Sequence, residues 1–292
     1  MYYIVYAFFY LVSLLPLRVL HFISDSLYGI VYHVIRYRRK VVMHNLLIAF
    51  PEKTDAERVA IAKGFYHKLF DSMLESLKLL SAPDTFFEKR FSGNWELINQ
   101  YYDAGRPVQV HLGHNFNWEW GNTMIAKKVK HQYLGVYLPL SNKIFDRLFK
   151  KMRSRGGAVL IPATNMTKAF LPYRKTLYCM GLIADQSPGR IDHTNWFDFF
   201  GRKTAFITGS AKMAMSTNAV VAFATIKRVK RGYYRTEFEI AAENPKNKTD
   251  IEITQQFVNY LETNLRQAPD NWLWSHRRWK HEWNESYASN VN

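Results

Sequence analysis

From about residue 107 to residue 265 the chain alternates short apolar runs with stretches that suit a helix, and this rhythm restricts the fold more than any other feature. The runs at 107–112, 133–138, 158–161, 177–184 and 219–225 have the length and apolarity of buried strands. Between them, 118–128, 143–154 and 205–216 read as helices; 238–242 adds a strand and 250–265 a helix. Alternation of this kind implies an α/β fold, a sheet flanked by helices. Upstream, Thr54-Asp55-Ala56-Glu57 is a capping-box pattern. It opens a helix with apolar positions Val59, Ile61, Ala62, Phe65, Leu69, Met73 and Leu77 that ends near Ser81-Ala82-Pro83.

The N-terminus obeys different rules. Tyr2 to Leu17 carries no charge, and these 16 residues would reach about 24 Å as a helix, short of the roughly 20 residues a span usually needs. A second apolar stretch, 27–35, follows Arg18, His21 and Asp25 and runs into Arg36-Tyr37-Arg38-Arg39-Lys40. That cluster stands where the positive-inside rule expects a cytoplasmic flank. A signal peptide would place its positive charge before the apolar run and a small-residue cleavage site after it; neither is present. Pro16 argues against one unbroken helix, which leaves a single span and an interfacial hairpin open, with a buried core helix as the plainer alternative. The expected layout is a membrane anchor with its basic flank over 1–40 and one catalytic domain over 41–292, without repeat, low-complexity tract or long linker.

Charge narrows the partners. The formal net charge is +16, with 20 Phe, 18 Tyr and 8 Trp, so an anionic partner is expected: nucleic acid, an anionic membrane surface, or an acidic protein or substrate. Basic and aromatic residues interleave at 227–235 and 272–280, as in single-strand binders. No nucleic-acid motif accompanies them, and the apolar N-terminus has no role in that reading. Cys179 is the single cysteine and lies in the apolar run Leu177-Tyr178-Cys179-Met180-Gly181-Leu182, which suits a buried structural thiol and excludes an intramolecular disulfide or a multi-cysteine metal site. No P-loop, no GxGxxG after a strand and no Cys/His metal spacing occurs, so no cofactor is called for.

Chemistry centres on His114-Asn115-Phe116-Asn117-Trp118-Glu119, an HX4E spacing between the strand at 108–112 and the helix from 118. Transfer of an acyl group to an alcohol needs a base for the hydroxyl proton. Histidine suits the task, and a carboxylate on its other nitrogen fixes the tautomer. Five residues on a regular helix would point the two side chains apart, so the spacing works best with His114 in the loop and Glu119 reaching back from the first turn. The spacing alone is common: His193-Thr194-Asn195-Trp196-Phe197-Asp198 repeats it in a polar-aromatic segment, where His193 reads as a loop residue.

Several ordered blocks are far more specific. HLGHNFNWEWGN, VYLPLSNKIFDRLFKKMRSR, IADQSPG, WFDFFGRKTAFITGSAKMA and NWLWSHRRWK together resemble the bacterial lipid A biosynthesis lauroyl/myristoyl acyltransferases. RYRRKVVMHNL and FPEKTDAER resemble them too, so the likeness covers nearly the whole chain. It implies a glycerolipid-acyltransferase-like sheet, with His114 as general base and Glu119 as its partner. Arg153, and beside it Arg155, match a basic position near the family's active site, where a guanidinium would hold a lipid phosphate or a developing oxyanion. Asp185 and Gln186 end an expected strand where α/β proteins place ligand groups; capping of that turn is the alternative. Phe199-Phe200-Gly201 and a helix from Thr204 to Ala214 look like the acyl-chain region. Trp274 to Lys280 sets Arg277 and Arg278 beside indoles, suiting a membrane interface or acidic headgroup.

The resemblance further implies an acyl carrier protein as donor, docked on basic stretches at 126–131, 143–155 and 227–235. The acceptor would be a phosphorylated lipid A precursor, and the location a bacterial inner membrane with the catalytic domain on its cytoplasmic side. A related enzyme acting on a glycerophospholipid, aminolipid or glycolipid would keep His114 and Glu119 and change the acceptor pocket. A non-catalytic membrane scaffold would have no use for either.

Overall fold

The structure is a computed structural model and describes residues 1–191 and 194–290. His193 therefore lies outside the described residues. Four helices come first: α1 (Tyr2–Leu14), α2 (Leu17–Gly29), α3 (Arg39–Ala49) and α4 (Asp55–Ser76). The α/β portion follows as α5 (Asp84–Glu88), β1 (Phe91–Gly93), α6 (Glu96–Asp103), β2 (Val108–Leu112), α7 (Trp118–Lys128), β3 (Gln132–Tyr137), α8 (Lys143–Arg153), β4 (Val159–Pro162), α9 (Met166–Phe170) and β5 (Tyr178–Ile183). The chain ends with β6 (Thr194–Phe199), β7 (Arg202–Ile207), α10 (Gly209–Thr217), β8 (Val220–Lys230), β9 (Tyr233–Ala242) and α11 (Asp250–Gln267).

Seven strands form one sheet in the order β1-β9-β8-β2-β5-β3-β4, with every neighbouring pair parallel except β8 and β9. Every residue of β2 is buried, as expected of a central strand covered on both faces. On one face α7 packs Trp120, Met124 and Ile125 against Val108, Val110 and Leu112; on the other, α10 and α11 pack against Val221 and Phe223. Thr54 and Glu57 close the expected capping box on α4, and Thr249 with Glu252 closes a second on α11.

Two expectations need correction. The helix read at 205–216 begins at Gly209, because 202–207 is the strand β7, antiparallel to β6. Phe200 and Gly201 both have positive φ, 54° and 69°, so they form the two-residue turn that suits a hairpin. The expected helix from Thr204 is replaced by strand because Thr204 and Phe206 are buried with the aromatic hairpin core. The second correction concerns 227–235, whose charges suggested a surface. β8 runs on to Lys230 and turns at Gly232 (φ 75°). There Arg228 and Arg231 fold inward onto the buried Asp71 of α4, at 2.9 and 2.6 Å.

Asp71 also accepts from Ser24 at 2.7 Å, and Glu75 one turn later bonds His21, Asn117 and Tyr234. These two carboxylates tie α2 to the sheet. No single helix among the described residues is long and apolar enough to cross a membrane; α1 and the helical stretch 17–35 together have the length but meet at 112°. One side of α1 lies on α8, with Phe9 against Phe145 and Arg147 over Tyr2. Its other side exposes Ile4, Phe8 and Leu11, and α2 exposes Phe22.

Candidate active site

β2 and β5 are adjacent and parallel, with Leu112 beside Ile183, and the Ala184 N–H donates to the Leu112 carbonyl at 3.0 Å. The two strands therefore release their chains side by side at the carboxyl edge of the sheet, where α/β proteins gather ligand groups. His114 leaves β2 there and Asp185 leaves β5. The His114 Nδ1 lies 2.6 Å from Asp185 Oδ1, and the His114 backbone N–H donates to Oδ2 at 2.8 Å. Trp272 adds an indole N–H to Oδ2 at 2.5 Å. Gly113 makes the approach possible: a Cβ there would stand 2.8 Å from Leu261 and 3.2 Å from Asp185 Oδ2.

Asp185 is 1% exposed. Burial alone would raise its carboxyl; the His114 imidazole, the His114 N–H and the Trp272 indole outweigh that and hold it below the ordinary carboxylate range. A carboxylate accepting from Nδ1–H leaves Nε2 as the lone-pair nitrogen, the protonation a general base requires. Gln186 sits 3.3 Å from Nε2. Ser187 donates its N–H to His276 Nε2 at 3.0 Å. His276 is mainly held neutral by burial, which pulls it down to about 4. It thereby fixes the loop that carries Asp185 and Gln186.

Glu119 does not partner His114. It is 4% exposed, in the first turn of α7, and takes a forked pair of bonds from Arg153: Nε to Oε2 at 3.0 Å and Nη2 to Oε1 at 2.7 Å. Trp118 donates to the same Oε1 at 3.1 Å and sets its ring edge-on to His114. Burial would lower the Arg153 guanidinium, and Glu119 reverses this and raises it. The physical reason for the changed pairing is direction. The first turn of α7 aims Glu119 at the end of α8, while the neighbouring strand end supplies a carboxylate to Nδ1 from the far side.

His114 of the first pair and both members of the second line one cavity of about 390 Å³, bounded by α7 on one side and β2, β5 and β3 on the other. His114, Glu119, Asn122, Arg153 and Gln186 are among its polar groups, and Leu112, Ile125, Val136 and Leu160 contribute apolar wall. Arg155, Arg277 and Arg278 are elsewhere. Arg155 donates to the carbonyls of Leu79 and Ala82, bracing the turn after α4. Arg277 is exposed. Arg278 is 1% exposed, donates to the Ala205 carbonyl and lies 4.0 Å over the Phe206 ring, with burial pulling it down to about 9. The basic-aromatic C-terminal block is therefore core around the β6–β7 hairpin, because Trp272, Trp274 and Trp279 are buried in it, and its indoles do not form a surface anchor. Trp272 is the functional contact missed from sequence; it was legible only as one indole among several.

A mostly parallel α/β sheet whose carboxyl edge holds a buried carboxylate–histidine pair beside a largely apolar cavity has the geometry of an acid–base enzyme acting on an apolar ligand. The comparisons narrow this class. The family of bacterial lipid A biosynthesis acyltransferases matches residues 1–281, and the chain belongs to it. It is 22% identical over 269 residues to the lipid A biosynthesis palmitoleoyltransferase of Escherichia coli K12, covering 91% of this chain and 86% of that one. A lipid A biosynthesis acyltransferase of Shigella flexneri matches at the same identity and coverage. A second from Shigella flexneri, acyltransferase 2, is 20% identical over 64% of this chain and 59% of its own. The protein is an acyltransferase of lipid A biosynthesis.

Proposed function

We propose that the protein transfers a fatty acyl chain from an acyl carrier protein thioester to a hydroxyl of a phosphorylated lipid A precursor, with His114 as the general base. The observation that carries this is the His114 Nδ1–Asp185 bond of 2.6 Å, which leaves Nε2 facing the cavity. In the reaction, Nε2 takes the proton as the acceptor oxygen attacks the thioester carbonyl. Asp185 stabilises the imidazolium, and the proton passes on to the departing thiolate. Arg153, oriented by Glu119, shares the cavity with His114 and suits the developing oxyanion or a phosphate of the acceptor.

The exposed apolar faces of α1 and α2, followed by Arg36 to Lys40, support membrane attachment of the segment 1–40 to the cytoplasmic face of an inner membrane. The bend between the two helices favours a hairpin lying in the interface. Of the basic stretches expected to dock an acidic carrier, 143–155 keeps Lys143, Arg147 and Lys151 exposed, whereas Arg228 and Arg231 are engaged with Asp71. The test is to incubate detergent-solubilised protein with labelled acyl carrier protein and either a lipid A precursor or a glycerophospholipid. Transfer to the first, abolished in His114→Ala, is expected. Transfer only to the second would reassign the acceptor, and full activity in His114→Ala would remove the mechanism.

A further inference from the structure

Nothing in the pairing of His114 with Asp185 explains why the sheet is hollow beneath α7. Two glycines do. Gly135 on β3 and Gly181 on β5 are register partners on adjacent parallel strands, so the sheet lacks two neighbouring side chains on the face that α7 covers. Both line the cavity, together with Gly121 on the opposing helix. A Cβ at Gly135 would stand 2.9 Å from the Asn122 side-chain oxygen, and one at Gly181 would run into the Tyr133 hydroxyl. The space is thus made by missing side chains and bounded by the Tyr133 phenol, which lies across Gly181.

The cavity has a direction. Its polar end is at the strand ends, with His114 and Gln186; its walls then follow β3 back from Tyr137 through Gly135 to Tyr133. Four residues along a strand are about 13 Å, a depth that suits part of an extended hydrocarbon chain. Tyr133 is 5% exposed, and its hydroxyl has no hydrogen-bond partner among the described residues. A polar atom left in that state is costly to cover with hydrocarbon. Such a group stops a methyl end both by bulk and by chemistry.

We infer that Tyr133, seated over the Gly135–Gly181 pair, closes the inner end of an acyl-chain channel and sets the longest chain the enzyme accepts. The inference rests on the acyl-transfer reading of the site. Tyr133 acts as a specificity-determining residue and takes no part in proton transfer.

The experiment presents detergent-solubilised full-length protein with an equimolar series of saturated acyl carrier protein thioesters of graded length, and reads product chains by mass spectrometry. In parallel, saturated fatty acids of the same lengths compete with a fluorescent fatty acid for the cavity, a readout that needs no transfer. Tyr133→Ala and the milder Tyr133→Leu should move the upper cut-off to longer chains in both assays. Gly135→Ala should move it shorter. Near the cut-off, one methylene that gains or loses its room should change relative kcat/KM by about tenfold or more. Opposite shifts in the two directions are the expected result. Unchanged cut-offs in folded Tyr133→Leu and Gly135→Ala, with transfer intact, would overturn this inference and leave the proposed function standing. Length-dependent binding that shifts as described, without transfer to any acceptor, would do the reverse. Wild-type protein that binds no acyl chain and shows no length cut-off overturns the channel itself.

Discussion

Two buried carboxylates stand close to the same cavity, Glu119 in its wall and Asp185 behind His114, and they hold basic groups of different kinds. Asp185 accepts three N–H groups, one of them the His114 Nδ1–H, and so leaves the Nε2 lone pair on the cavity side, 3.3 Å from Gln186. Glu119 is bound to the planar fork of Arg153 and to the Trp118 indole, a pairing that holds a guanidinium in one orientation. In the proposed reaction the first would move a proton and the second would fix a positive charge. Two similarly buried carboxylates thus differ in what they hold: an imidazole in one case, a guanidinium fork in the other.

The comparison can be broken by exchanging the two carboxylates for amides. Asp185→Asn keeps the shape, removes the stabilising charge and favours the wrong histidine tautomer. Its kcat should fall by about three to four orders of magnitude, close to the effect of His114→Ala, with circular dichroism unchanged. Glu119→Gln should cost about ten- to a hundredfold, because Arg153 stays charged and merely loses its orientation. If Glu119→Gln proves as severe as His114→Ala while Asp185→Asn is mild, the roles drawn from the geometry are reversed.

Stability sharpens the comparison from outside the cavity. Asp71 is the counterpart of Asp185 away from the chemistry: 1% exposed, and held by Arg228, Arg231 and Ser24. Arg228 and Arg231 are partly exposed and Arg231 keeps Asp25, so removing the Asp71 charge should cost less than the roughly 3–5 kcal/mol of a fully buried pair. Asp71→Asn should still lower the denaturation midpoint more than Asp185→Asn does. A denaturation midpoint within a degree or so of wild type would show that water reaches the network and that α2 is not clamped by it.

The same contrast predicts a pH dependence. His111, buried in β2, is pulled down to about 4 by burial, as is His276. Unfolded, each titrates near 6.5. Between these values the unfolded chain binds more protons than the folded one, so stability is full above about 6.5 and declines as pH falls toward 4. For the fully buried His111 the loss is on the order of 3 kcal/mol. Urea midpoints measured from pH 7.5 down to 4.5 should fall steadily in the wild type, and less in His111→Gln. A flat profile would mean His111 is not held neutral.

Much of this arrangement is legible before any coordinates. The apolar runs mark β2 to β5 to within a residue or two, because a strand buried on both faces leaves little freedom in what it is made of. His114 is legible for the same reason: it follows such a run. Asp185 is visible as a strand-end carboxylate but not as the partner of His114, since that depends on β2 and β5 being neighbours, and strand order is not written in local sequence. The HX4E spacing misleads by making proximity in the chain stand for proximity in space. The β6–β7 hairpin is hidden because Arg202 to Ile207 also suits a helix, and only the turn at Phe200-Gly201 decides it.

Arg153 and Arg155 give the smallest expected effect on activity and the finest test, since they are two residues apart and the resemblance draws both, Arg153 first, to one basic position. Arg153 ends α8 and enters the cavity; Arg155 turns away to the carbonyls of Leu79 and Ala82. Lysine reproduces the charge of either but not the fork. Arg153→Lys should therefore lower kcat/KM by about tenfold or more with little change in melting. Arg155→Lys should leave kcat/KM within about twofold of wild type and lower the melting temperature, because a single ammonium cannot hold both carbonyls. Equal losses of activity in the two variants would mean that the turn braced by Arg155 reaches the acceptor, and the cavity would then need to be redrawn toward α4.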